Sequence, residues 1–237
     1  GMAAIMGVLV LCTLFAPEPE AIIQPPRSLK VAVVEPMHEF FIRRGAILIL
    51  LFIILYKLGD VVAGKMTTPF LMEIGFSRTE IGSVNKVFGM IATIIGALGA
   101  GGVIAKIGIY PALWIFGILQ AASNFVFLGL AVTGPNHAML IAAIGAENIC
   151  GGMGTAAFVA YLMSLVNKQF TATQYALLSS VMAITRTLAA VPTGKMALAL
   201  GWPGFFVLSA VLGIPGLIVL AFVRKVSPEV GSSATKS

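Results

Sequence analysis

Four ionisable side chains stand inside long apolar stretches: Lys57 and Asp60 in one, Glu147 in a second and Arg186 in a third. A charge at the centre of a membrane-spanning helix costs roughly 2.5–3.5 kcal/mol on insertion scales, and it persists where it faces protein or a water-filled cavity. That placement points to a transport path. Lys57 and Asp60 lie three residues apart, so a helix puts them on one face within ion-pairing reach. Glu147 and Arg186 can neutralise each other between helices, which would be a structural role. A carboxylate at this depth can also do proton chemistry, with Asp60 or Glu147 taking up a proton in one state and releasing it in another. Both roles can hold at once, because a pair that opens on protonation is a two-state element.

Asn85 and Lys86 lie about two turns inside the outer end of another apolar stretch, a depth that suits the mouth of a cavity. With Lys57, Asn148 and Arg186 they are candidates for contacting an anionic or amide-bearing substrate. Asn148 belongs also to a wider polar set, with Gln120, Ser123, Asn124, Thr155, Gln174 and Tyr175. For that set hydrogen bonding between helices competes with ligand contact. The run Gly59-Asp60-Val61-Val62-Ala63-Gly64-Lys65 has the outline of a phosphate-binding loop. Met66 stands where the magnesium-binding hydroxyl belongs, however, and the segment sits within an apolar span instead of joining a strand to a helix. Neither a Ser-His-Asp order, a metal-binding His-Glu pair nor a GxSxG elbow occurs. His38 and His137 fall in a linker and at a helix end, and Cys12 and Cys150 read as packing residues. The chain is therefore expected to be no enzyme and to need no metal and no cofactor.

The elements that must position these groups are membrane helices. The sequence is 59% hydrophobic and 10% charged, with a mean hydropathy of +1.02, outside the range of a water-soluble domain. Lipid offers backbone polar groups no partner, so each crossing needs a helix of about 20 apolar residues. Six spans are predicted: Ala46 to Met72, Arg78 to Lys106, Ile109 to Val132, His137 to Val166, Ala172 to Leu198 and Pro203 to Val223. The first carries Lys57, Asp60 and Lys65, the second Lys86, the fourth Glu147, and the fifth Arg186 and Lys195; the third and sixth carry no internal charge. At a rise of about 1.5 Å per residue, Lys57 and Asp60 lie roughly 16 and 21 Å into the first span, Glu147 roughly 15 Å into the fourth and Arg186 about 21 Å into the fifth. The charges gather at one depth. The chain is expected to be an all-α polytopic membrane protein with two lipid-facing helices, and the pattern resembles a six-helix half of a major facilitator bundle, in which the third and sixth helices pack outside the four that line the cavity. Gly82, Gly89 and Gly96 recur every seven residues, leaving a bare stripe along the second span where another helix can approach.

The formal charge of +6 follows topology, so no nucleic-acid partner is expected. Arg27, Lys30, Arg43, Arg44, Lys106, Lys168, Arg224 and Lys225 fall on one side of the spans. The other side holds Glu73, Arg78, Glu80, the turn from Thr133 to Asn136, and Gly201-Trp202. The basic side is cytoplasmic by the positive-inside rule, and the carboxyl terminus with it. Residues 1–16 are read as the end of a truncated transmembrane helix, which would make this chain the later part of a longer protein. Residues 17–45, with Pro19, Pro25, Pro26 and Pro36, form a cytoplasmic linker. Its second half fits an interfacial helix that starts near Pro36. Residues 46–226 are the bundle, and residues 227–237 read as a disordered tail.

Several polar strings carry a more specific likeness. Leu55-Tyr56-Lys57-Leu58-Gly59-Asp60, Thr67-Thr68-Pro69-Phe70-Leu71, Val84-Asn85-Lys86 and Glu147-Asn148-Ile149-Cys150-Gly151-Gly152-Met153-Gly154-Thr155 resemble the AmpG family of muropeptide permeases. So do Phe116 to Asn124, Ala172 to Ser179 and Gly201-Trp202-Pro203. The segment from Gly101 to Gly108 keeps the glycine spacing and Lys106 of the general facilitator signature, but Ala105 stands where an acid is usual. The resemblance implies a proton-driven importer of anhydromuropeptides in a bacterial inner membrane, serving peptidoglycan recycling and, in some hosts, β-lactamase induction. Its partners would be that cargo, protons, the bilayer and a missing amino-terminal half, because family members have about twice this span number and bind cargo between halves. The alternatives are a different cargo, such as an acyl thioester or a sugar, a non-transporting fragment, or a membrane-embedded enzyme acting on wall intermediates.

Overall fold

The computed structural model describes residues 2–15, 29–42, 45–166 and 171–226. Among them every regular element is a helix. The expected tail at 227–237 and the first part of the linker, 16–28, lie outside the described residues. Helix α1 (Met2–Phe15) exposes Met6, Val8, Leu11, Leu14 and Phe15. Helix α2 (Leu29–Ile42) corrects the expected interfacial helix, because Pro36 lies in its middle and not at its start. Phe40 on this helix is buried in the bundle's core while Phe41 is exposed.

Helices α3 (Ala46–Tyr56) and α4 (Leu58–Glu73) form the first span, interrupted at Lys57. The second span is α5 (Arg78–Ser83), a π-helical turn (Val84–Gly89) and α6 (Met90–Ile107). The third is α7 (Ile109–Thr133) and the fourth α8 (His137–Leu165). Then come α9 (Thr171–Ala190) and α10 (Thr193–Val226), the latter bent at Gly201. Capping residues mark the outer starts. Ser77 accepts from the Glu80 backbone N–H while Glu80 answers the Ser77 N–H, and Asn136 accepts from Ala138 and Met139. Each satisfies backbone donors that a helix leaves open at its beginning.

Among the described residues five helical stretches are long and apolar enough to cross a bilayer, against the six spans expected from the sequence. The difference lies in the fifth. Pro192 has no N–H and disfavours helical geometry in Val191, so α9 stops at Ala190 and the chain re-enters a helix at Thr193. α9 also carries Gln174, Thr185, Arg186 and Thr187, which dilute its apolar character.

The packing nevertheless shows six passes between two apolar clusters. One core cluster holds Ile49 and Phe52, Ala100, Leu113 and Phe116, Phe158 and Tyr161, Leu178, and Leu220 and Val223. A second holds Phe70 and Leu71, Ile81, Phe127, Leu140 and Ile144, Ala197, and Phe205 and Phe206. Read along the chain, the clusters alternate: the first span runs from one to the other, the second runs back, and so on through six passes. Ala197 and Phe205 share a cluster, so the chain reverses between them at Gly201. Its φ of 65° and ψ of 170° demand glycine, and Pro203 opens the returning arm.

Glycines set the helix spacing. A methyl built on Gly96 would overlap the Ile149 carbonyl oxygen, and one on Gly152 would overlap that of Thr93, so the second and fourth spans cross backbone to backbone. Likewise a methyl on Gly59 would sit 2.5 Å from the Ser209 carbonyl oxygen, and one on Gly216 would sit 2.6 Å from the Tyr56 Cα. The sixth span thus presses on the first directly on either side of Lys57, where α3 gives way to α4.

Candidate functional site

Between the two apolar clusters lies a polar layer to which all six passes contribute. It includes Lys57, Asp60, Asn85, Thr93, Gln120, Asn124, Glu147, Asn148, Arg186 and Ser209. Lys57, Asp60, Glu147 and Arg186, which the sequence placed at one depth, line one space.

A cavity of about 400 Å³ opens in this layer. The first, second, fourth and fifth spans supply nearly all of its walls, through Lys57, Asp60, Thr68, Asn85, Thr93, Glu147, Asn148, Thr155 and Arg186. The third contributes only Gln120 and the sixth nothing, which matches the absence of internal charge in those two helices. The volume is within the range of small-molecule sites, roughly 300–1,000 Å³.

Lys57 Nζ lies 2.8 Å from Asp60 Oδ2, with the two side chains 14% and 21% exposed. The helix break contributes here, because Asp60 falls in the first turn of α4, where the positive end of the helix dipole favours a carboxylate. Gly154 leaves room for the ammonium, a methyl there approaching Lys57 Nζ to 3.4 Å. Glu147 projects toward Gly64 of the first span, with Oε1 3.8 Å from where a Cβ on that glycine would lie. The structural Glu147–Arg186 pair is not formed: among the described residues no cation comes within salt-bridge distance of Glu147, and Arg186 is exposed along the cavity wall.

Asn148 is committed to the helix crossing. Its amide donates to the Ile144 carbonyl at 2.8 Å, and its Oδ1 lies 2.9 Å from the Thr93 hydroxyl, which shares its proton with the Gly89 carbonyl. Thr93 was not singled out in the sequence, although it lies on the same helical face as Asn85 and Gly89, eight and four residues before it. Lys86 does not line the central cavity. It lies with Arg78 in an outer pocket of about 480 Å³, and Asn85 and Thr68 line both spaces. On the outer surface His137 Nε2 lies 2.9 Å from Glu80 Oε1, and Phe76 packs edge-on against the imidazole. Among the described residues no three His, Cys, Asp or Glu side chains are grouped to hold a metal ion. The phosphate-loop outline at Gly59–Lys65 is continuous helix, as its apolar setting required.

Comparison with known proteins adds a family. The model of the Major Facilitator Superfamily matches residues 60–237. Over 225 residues the chain is 47% identical to the anhydromuropeptide permease of Escherichia coli K12, covering 94% of this chain and 46% of the permease. It is 39% identical over 194 residues to putative transporter AmpG 4 of Rickettsia felis, covering 82% of this chain and 47% of that one. It is 40% identical over 179 residues to putative transporter AmpG 1 of Rickettsia prowazekii, covering 75% and 40% respectively. The chain spans about half the length of the curated relatives it matches.

Proposed function

Since this chain belongs to the Major Facilitator Superfamily, we propose that it forms the carboxyl-terminal half of a proton-driven importer of anhydromuropeptides. The reading rests on one observation above the others. At 47% identity to a permease of that cargo, the chain keeps charged and amide groups around a cavity in the middle of its apolar bundle. Such cargo offers hydroxyls, amides and carboxylates. Lys57 and Arg186 suit the carboxylates, Asn85 suits the amides, and Lys86 with Arg78 suits capture at the outer mouth. Asn148 contributes by holding the second and fourth helices in register.

Asp60 and Glu147 are the proton carriers in this scheme. Asp60 is neutralised by Lys57, so a proton on Asp60 releases the ammonium for a cargo carboxylate. Among the described residues Glu147 has no such counterion, and a transported proton would neutralise it directly. Residues 17–45 then link two halves on the cytoplasmic side, residues 46–226 form this half, and the carboxyl terminus is cytoplasmic in the inner membrane of a bacterium. Cargo would bind between this cavity and the facing amino-terminal half.

The test is uptake of labelled anhydromuropeptide by vesicles holding this chain paired with the amino-terminal half of a relative such as the Escherichia coli permease. Accumulation that an uncoupler abolishes, and that unlabelled anhydromuropeptide competes away, supports the proposal. Uptake competed only by an acyl thioester or a sugar assigns another cargo, and no uptake in any pairing assigns a non-transporting product.

A further inference from the structure

Beside the Lys57–Asp60 pair is a second and much smaller pocket, walled by the first, third and sixth spans with Gly154 of the fourth. Its polar walls are Lys57, Asp60, Gln120, Asn124 and Ser209, with the ring of Tyr56 beside them. We propose that this pocket holds one resident water molecule, which hydrates the ion pair.

Size and chemistry both argue for it. The free volume is about 10 Å³, at the threshold of roughly 10–15 Å³ where a polar cavity accommodates a single water. A dry cavity of that size is expected only where the walls are apolar. Gln120 is 8% exposed, and its buried Oε1 makes no hydrogen bond within the protein. Ser209 is fully buried and spends its proton on the Phe206 carbonyl at 2.8 Å, which leaves its oxygen lone pairs free to accept. A water meets these needs together: its protons can serve the Asp60 carboxylate and the Gln120 carboxamide, and its lone pair can accept from the Lys57 ammonium or an amide N–H. Glycines create the space, since Gly59, Gly117, Gly154 and Gly213 line it without side chains, and Ala121 and Leu217 complete the wall.

The consequence concerns how the pair can open. Lys57, Asp60 and Gln120 line both the small pocket and the large cavity, so the ion pair is the partition between them. When Lys57 turns toward the cavity, the water stays with Asp60, and neither charge is stripped of partners. This holds whatever the cavity carries, so it does not depend on the transport reading.

Radiolytic hydroxyl-radical footprinting of the full chain in lipid nanodiscs tests it, because a buried side chain is oxidised there only beside a bound water. Tyr56, 7% exposed, is expected to be modified, as is Phe158 in the wall of the large cavity. Gly213→Ala should abolish modification of Tyr56 and leave Phe158 unchanged. Its methyl meets only the Ala121 Cβ, at an ordinary 3.7 Å, and otherwise fills the pocket. Gln120→Met, which keeps the volume and removes the carboxamide, should lower Tyr56 labelling as well and carries the test if Gly213→Ala does not fold. An unmodified Tyr56 in the parent chain, or labelling that survives both substitutions, overturns the proposal.

Discussion

Lys57 and Asp60 hold each other at 2.8 Å across the break that divides the helix of the first span. The pair is neither fully buried nor exposed, so its removal is expected to cost more than the ~1 kcal/mol of a surface pair and less than the ~3–5 kcal/mol of a sealed one. Asp60→Asn should therefore lower thermal stability in detergent by an intermediate amount, by leaving the Lys57 charge without its partner. Lys57→Met combined with Asp60→Asn should recover part of that loss, because no uncompensated charge remains. Unfolding curves of the three variants measure this, and a double variant as unstable as the single one would show that the pair is not the source.

The crossing of the second and fourth spans rests on bare backbone. Gly152→Ala places a methyl against the Thr93 carbonyl, with the Ala97 N 3.1 Å away, where neither neighbour is a flexible side-chain end. Overpacking of this kind typically costs about 1–3 kcal/mol. Gly101→Ala, on the same second span with nothing within 4 Å of its Cβ, should leave the melting temperature unchanged or slightly raised. A thermal-shift comparison of the two separates packing from helix propensity.

Thr93→Val keeps the shape of the side chain and removes the hydroxyl beside Asn148. Hydrogen bonds between membrane helices contribute roughly 0.6 kcal/mol on average, with a maximum of about 1.7. The variant should lose stability in that range and, under the transport reading, bind cargo with unchanged affinity in the assembled transporter, because Asn148 acts on the helix crossing. A loss of affinity with no loss of stability would assign Asn148 to the cargo instead.

How much of this was legible in the sequence depends on which physical constraint was being read. Insertion cost and helical rise bring Lys57, Asp60, Glu147 and Arg186 to one depth without any knowledge of packing, and the structure has them in one layer. The uncharged third and sixth helices were likewise legible, since charge marks the cavity side. Rotation about a helix axis was not. The π-helical turn at Val84–Gly89 inserts an extra residue per turn. Depth placed Lys86 at a cavity mouth but could not say which space it enters: it lines the outer pocket, which shares Asn85 and Thr68 with the central cavity. Nor does depth say whether two side chains touch: Glu147 and Arg186 share a level, yet helix placement keeps them apart. The interruption at Lys57 comes from the close approach of the sixth span at Gly59 and Gly216, a contact remote in sequence.

Lys86 and Arg78 line the outer pocket without touching the central cavity. Under the transport reading, Lys86→Gln in the assembled transporter should raise KM for a carboxylate-bearing cargo and leave kcat close to that of the parent. The effect should shrink at high ionic strength, where exposed charges are screened over roughly 3 Å at 1 M salt. Initial uptake rates across cargo and salt concentrations measure both. Lys57→Gln, inside the cavity, should instead lower kcat.

Glu147 is the sharper test of energy coupling, because no cation neutralises it among the described residues. If its charge is what a transported proton cancels, Glu147→Gln fixes that position in the neutral state permanently. The transporter could then still exchange cargo across the membrane, since the cavity and its cations are intact. It could no longer gain from a proton gradient, since no proton is taken up on one face and released on the other. Under the transport reading, Glu147→Gln reconstituted with a complementary amino-terminal half is therefore expected to retain counterflow of labelled against unlabelled cargo and to lose accumulation driven by an imposed pH gradient. Asp60→Asn should impair both, because it also leaves Lys57 without its resting partner. Gradient-driven accumulation at the parental level in Glu147→Gln would remove this residue from the coupling mechanism and leave Asp60 as the carrier.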